Sequence, residues 1–228
     1  MDSSSHDNMS FLEHLEELRW HIIRSLIAIV SAGFICFLMK DFIFDTIIFG
    51  PKKMDFPTYK FLCQAATFIG VETTFCGDEF PFIVQNRTMA GQFSAHVMTS
   101  IISGFIISFP YILYEFWKFI SPGLLEKEKA KSRGFIFISS LLFFIGVLFG
   151  YYIISPLSIN FLGTYQVSSQ VLNEIDLGSF ISLVRSSAIA SGIIFELPII
   201  IYFLTKAGVV TPESVSYTHL TLPTKRIV

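Results

Sequence analysis

Four long apolar runs, each bounded by polar or charged residues, dominate the pattern of the chain. Crossing a hydrocarbon core of about 30 Å takes roughly 20 helical residues. The runs at about 22–39, 97–117, 135–155 and 183–204 meet that length. The pattern therefore predicts an all-α integral membrane protein with about four transmembrane helices. The third run is the most uniform, with Leu141-Leu142-Phe143-Phe144 inside it. The second contains Pro110, and the fourth is the least apolar, carrying Arg185, Glu196 and Pro198. Ahead of the first run, Phe11, Leu15, Leu18 and Ile22 recur at i, i+4, i+7 and i+11 and form one apolar stripe. Ser10, with Glu13 three residues on, makes a capping box at its start. A short interfacial N-terminal helix is therefore expected, lying along the membrane surface and leading into the first span.

Composition agrees with this class and removes others. Apolar residues make up 52% of the chain, there are 26 Phe, and mean hydropathy is +0.62. Only 15% of residues are charged, against about a quarter in a soluble domain. A net charge of -2 gives no basic face for nucleic acid. The first ten residues are polar and no small-residue cleavage site follows the first apolar run, so that run reads as a retained span. No soluble domain, low-complexity tract or internal repeat is evident.

Lysine and arginine near the spans predict orientation. Arg19 and Arg24 flank the start of span one, and Lys118, Lys127, Lys129, Lys131 and Arg133 crowd the loop between spans two and three. The loop from Pro156 to Gly178 has neither Lys nor Arg. The N-terminus and the Lys118–Arg133 loop are thus expected on the cytoplasmic side, with the other two loops outside. That places Cys63 and Cys76 in an oxidising compartment, where a disulfide between them can persist; two unpaired thiols are the alternative. Cys36, inside an apolar run, reads as inert.

Three segments carry candidate chemistry. The N-terminal stretch places Glu13, Glu17 and Arg24 off the apolar stripe. In the loop after span two, Phe119-Ile120-Ser121-Pro122-Gly123 turns and a mixed-charge run follows. A carboxylate such as Glu128 near the membrane surface suits a cationic guest, because Arg pairs bidentately with carboxylates. In span four, Phe195-Glu196-Leu197-Pro198 sets an ionisable group near the centre of the run. Such a residue is costly in hydrocarbon and faces a protein cleft or wet cavity. Pro198 leaves the carbonyl of Ile194 without its helical donor. Ser182, Arg185, Gly192 and Glu196 fall near one helical face. No nucleophile elbow, His-Glu-x-x-His or phosphate loop is present, so no catalytic residue, metal ligand or enzyme activity is assigned.

Together these segments resemble the twin-arginine translocase subunit TatC family, the Sec-independent protein translocases. His14-Leu15-Glu16-Glu17-Leu18-Arg19 resembles the family's N-terminal His-Leu-x-Glu-Leu-Arg motif. Phe119-Ile120-Ser121-Pro122-Gly123-Leu124 followed by Glu128 resembles its first cytoplasmic loop, and Phe195-Glu196-Leu197-Pro198 its fourth span. The likeness covers roughly Phe11 to Ser214. It implies a receptor in the bacterial cytoplasmic (inner) membrane that binds the twin-arginine signal peptides of folded cargo, for translocation driven by the proton-motive force. It also implies a signal-binding site drawn from Glu17, Arg19, Phe119, Pro122 and Glu128, and an intramembrane functional pair in Glu196 and Pro198. Single-span TatA- and TatB-type subunits, further copies of the chain and membrane lipid are the implied partners, and no cofactor is implied. The family has six spans, so four imply truncation after the fourth, with residues 1–214 as the membrane domain and 215–228 as a tail of non-native origin. Arg185 stands where an uncharged residue is expected. Two other readings are a structural membrane anchor for a redox complex and an ion or solute transporter, the latter resting on Glu196 beside Pro198.

Overall fold

The computed structural model describes residues 11–71, 74–77, 80–120, 132–168, 170 and 173–206. Between Phe11 and Leu38 the sequence holds no proline and a single glycine, and it forms one 28-residue helix, α1. At 1.5 Å per residue this is about 42 Å long, more than the roughly 30 Å of hydrocarbon. The separate surface helix expected at the N-terminus is therefore replaced by the first turns of α1 itself, since nothing between Leu18 and Ile22 breaks the hydrogen-bond ladder. The other spans are also longer than the apolar windows indicated, because helical bonding continues into the flanking polar residues. Helix α3 (Gly91–Ile120) runs straight through Pro110. Helix α4 (Ser132–Phe149), a π-helical turn (Gly150–Ile154) and helix α5 (Ser155–Thr164) form one continuous rod. Helix α6 (Leu177–Lys206) passes through Pro198. Among the described residues, four helical segments are long and apolar enough to cross a membrane.

Between α1 and α3 the chain builds a cap. A π-helical turn (Phe42–Ile48) leads to a tight turn (Gly50–Lys52) and helix α2 (Pro57–Ile69). Gly70 ends α2 with φ of 74°, a backbone geometry that glycine adopts without strain. A disulfide joins Cys63 of α2 to Cys76. The chain is not wholly helical: strand β1 (Ile83–Gln85) pairs in parallel with β2 (Glu174–Asp176), Ile83 opposite Glu174. This pairing stitches the cap to the loop before α6, and Arg87 adds an ion pair to Glu174 at 3.0 Å.

The cap is fastened to the α4–α5 rod where proline interrupts it. Pro156 cannot donate to the carbonyl of Tyr152, and the hydroxyl of Thr58 donates to that carbonyl instead. The hydroxyl of Tyr59, fully buried, lies 2.9 Å from the carbonyls of both Pro51 and Pro156. Burial pushes the Tyr59 hydroxyl well above its ordinary titration range.

Small residues set the helix spacing, as in other membrane bundles. A methyl group on Gly104 of α3 would meet the backbone nitrogen of Gly33 in α1 at 2.5 Å, and one on Gly150 would strike the Ser187 carbonyl of α6. Phe143, fully buried, stacks on Phe109 at 3.6 Å and joins α3 to α4. Outward-facing side chains such as Val30, Phe34 and Phe137 are more than 60% exposed. An apolar exterior of this kind fits lipid.

Candidate functional site

The first turns of α1 meet the last turns of α3, because the Gly33–Gly104 contact holds the two helices close along their length. Ser108 of α3 donates to the Ala28 carbonyl at 3.0 Å on the same seam. About two turns further toward the N-terminus of α1, Nδ1 of His21 donates to Oε2 of Glu115 at 2.6 Å. His21 is 9% exposed and Glu115 2%, so this polar contact is shielded from solvent. Arg24, one turn along α1 and half-exposed, brings its Nη1 to 3.8 Å from the same oxygen. The His21 ring also meets Phe119 edge-on, with centroids 6.2 Å apart.

Of the sequence-identified residues, Glu17 and Phe119 lie on the helices that carry this pin. Glu17 lies one turn before His21 on α1, and its Oε2 is buried with no hydrogen-bond partner among the described residues. Phe119 lies one turn after Glu115 on α3. Glu17 and Phe119 are thereby held on neighbouring helices, each four residues from one member of the His21–Glu115 pair. Arg19 does not join them: two residues from Glu17, it is exposed and sits 6.0 Å from the ring of its neighbour Trp20. Pro122 and Glu128 lie outside the described residues. Trp117, 8% exposed, packs on Phe135 of α4 at 4.9 Å and ties this end of α3 to the next span.

The second candidate site lies elsewhere. Glu196 of α6 is 6% exposed and faces Ser139 of α4, with its Oε1 unpartnered among the described residues. Gly192, one turn earlier, packs against Phe143 and Val147, so this part of α6 is buried against protein. The shared face expected for Ser182, Arg185, Gly192 and Glu196 divides in the structure. Ser182 is exposed and Arg185 lines a cavity against α3, whereas Gly192 and Glu196 face α4. Pro198 is exposed, and α6 continues past it to Lys206. Among the described residues no group of three or more His, Cys, Asp or Glu is placed to hold a metal ion.

His21 and Glu115 are the residues that motif reading passes over. Their signal was present as spacing: Glu17 to His21 and Glu115 to Phe119 are both i, i+4, which stacks each pair on one helical face. The cross-helix partnership required the packing of α1 on α3.

Comparison with known proteins places this geometry among its relatives. The model of the family described as "TatC: Sec-independent protein translocase protein (TatC)" matches residues 13–220. The match continues past residue 214 and gives no support to a truncation boundary there. The chain is 45% identical over 215 residues to the Sec-independent protein translocase protein TatC of Blattabacterium sp. subsp. Periplaneta americana, covering 94% of this chain and 79% of that one. It is 35% identical to TatC of Aquifex aeolicus, covering 91% of this chain and 77% of the relative. A crystal structure described as the twin-arginine translocase receptor TatC superposes with a TM-score of 0.69 at 30% identity, covering 90% of this chain and 80% of that one.

Proposed function

The chain belongs to the TatC family of Sec-independent protein translocase proteins, the core signal-peptide receptor of the twin-arginine translocase, and we propose that it binds the signal's arginines where the start of α1 meets the end of α3. The observation that carries this reading is the Oε2 of Glu17, buried and without a partner among the described residues. A carboxylate oxygen removed from water gains most from a cation that brings its own donors, and the planar guanidinium fork does so bidentately. Phe119, whose ring meets that of His21 one turn along α1 from Glu17, offers an aromatic edge for the same guest. Glu128, from the loop that follows α3, supplies the second carboxylate.

The lysine and arginine bias supports a cytoplasmic N-terminus, which puts Glu17 and Phe119 on the side where folded cargo presents its signal. The chain then works with single-span TatA- and TatB-type subunits and further copies of itself, the proton-motive force driving transport. Glu196, buried between α6 and α4, is the intramembrane polar group of that machine.

Site-specific crosslinking to a twin-arginine peptide tests the assignment, with Glu17→Ala, Glu128→Ala and, as control, Glu126→Ala at matched membrane levels. A charge-assisted pair contributes about 1.5–3 kcal/mol, so either site variant weakens binding roughly ten- to a hundredfold while the control does not. Equal crosslinking in all three overturns it. A signal with Lys-Lys in place of Arg-Arg binds poorly, because a point charge cannot reproduce the fork.

A further inference from the structure

Arg185 occupies a costly position. It lies about 12 Å along α6 from Leu177, at 1.5 Å per residue, inside a segment able to cross the membrane. An arginine there needs an anion, water or a route to the interface. Among the described residues, no carboxylate lies within ion-pair distance of it. The two carboxylates of β2 are committed elsewhere. Glu174 pairs with Arg87 at 3.0 Å, and Asp176 accepts the backbone N–H groups of Gly178 and Ser179 at 2.9 and 3.3 Å.

Arg185 instead lines a cavity of about 410 Å³ between the starts of α3 and α6. The hydroxyl-bearing Thr88 and Ser94 share its wall, while Met98 and Ile181 make the apolar side. Met98 is 51% exposed on the outer surface of α3, so the apolar side leads toward lipid. A second cavity, of about 1350 Å³, adjoins the first and shares Ala95 and Ile181 with it. Its rim mixes Lys40, Lys52 and Lys53 with Asp41, Asp45 and Asp55. The larger space alone exceeds the roughly 300–1,000 Å³ typical of small-molecule sites.

We propose that Arg185 holds the phosphodiester of a membrane phospholipid, at the end of the molecule opposite Glu17. One guanidinium with no carboxylate partner among the described residues matches the single negative charge of a phosphodiester and binds its two free oxygens as a fork. Thr88 and Ser94 donate from the side, the headgroup extends toward the rim of mixed charge, and the acyl chains leave past Met98 into hydrocarbon. Free inorganic phosphate carries more charge than one arginine balances and gains nothing from Met98 or Ile181. The site is independent of the signal-binding reading, since it uses none of the same residues.

Native mass spectrometry of the purified full chain in detergent tests it. The titrants are a phosphatidylethanolamine, a diacylglycerol with the same acyl chains, and inorganic phosphate. The unmodified protein retains one phosphatidylethanolamine at least tenfold more tightly than Arg185→Gln, while diacylglycerol does not discriminate between them. Millimolar phosphate does not displace the lipid. Ser94→Trp, which fills the cavity with the arginine in place, also loses the lipid, and it decides the matter if Arg185→Gln fails to reach native helix content by circular dichroism. Equal retention of phosphatidylethanolamine with and without the guanidinium shows an arginine that merely reaches the interface, and displacement by phosphate shows an anion site without lipid; either result overturns the proposal.

Discussion

Replacing Glu115 with alanine strips the acceptor from His21 at a place where water cannot substitute, since the two residues are only 2% and 9% exposed. A hydrogen bond to a charged group contributes about 1.5–3 kcal/mol, and removing one partner of a buried pair costs about 3–5 kcal/mol because the other is left bare. The 2.6 Å separation is that of a strong, charge-assisted bond, so the upper part of the first range applies. Arg24, half-exposed at 3.8 Å, adds no more than the roughly 0–1 kcal/mol of a surface pair. Glu115→Gln keeps a carbonyl oxygen that accepts from Nδ1, so it retains a neutral bond of about 0.5–1.5 kcal/mol. The expected order of stability is therefore unmodified, then Gln, then Ala. Because the pair holds Glu17 and Phe119 in register across α1 and α3, affinity for a twin-arginine peptide follows the same order, with Ala at least tenfold weaker. The assay is a double-mutant cycle with His21→Ala, read both by thermal unfolding and by peptide binding in nanodiscs. Coupling of about 1.5–3 kcal/mol is expected. Additivity within about 0.5 kcal/mol, in both readouts, refutes the idea that this pair positions the site.

Three further outcomes follow from the cap and the topology. Tyr59→Phe leaves the carbonyls of Pro51 and Pro156 without their shared donor and costs about 1–3 kcal/mol, a fall of roughly 2–12 °C in the unfolding midpoint; an unchanged midpoint contradicts the role given to that hydroxyl. Cys63→Ser opens the loop closed between Cys63 and Cys76 and removes about 3 kcal/mol on the chain-entropy model, so reductant destabilises the unmodified protein and leaves the variant unaffected. Single cysteines introduced as Ser132→Cys and Ser168→Cys, in a chain freed of Cys36, Cys63 and Cys76, label from opposite sides of the membrane; labelling of position 168 from the cytoplasm reverses the orientation.

The four spans were legible because each apolar run satisfies a length condition set by the bilayer and not by its neighbours. Their ends were less so: hydropathy locates the apolar centre of a helix, whereas the ladder in α1 continues back to Phe11 because no residue there stops it. The β1–β2 pairing was invisible, since three residues such as Ile83–Gln85 have no periodicity to read, and the pairing depends on a partner some ninety positions away. Glu17 and Phe119 stood out through their motifs, and the structure sets them on neighbouring helices. His21 and Glu115 did not, for a physical reason. A histidine and a glutamate near the ends of amphipathic or apolar helices look like solvated interface residues, and only the close approach of α1 and α3 removes their water. The seam of small residues that permits this approach, Gly33 against Gly104, lies several turns from the pair it makes possible. A bulky residue at Gly104 is thus a change to the proposed recognition site that touches none of its residues: it spreads the helices, lets water reach Glu115, and separates the helices that carry Glu17 and Phe119 while each motif remains intact in the sequence.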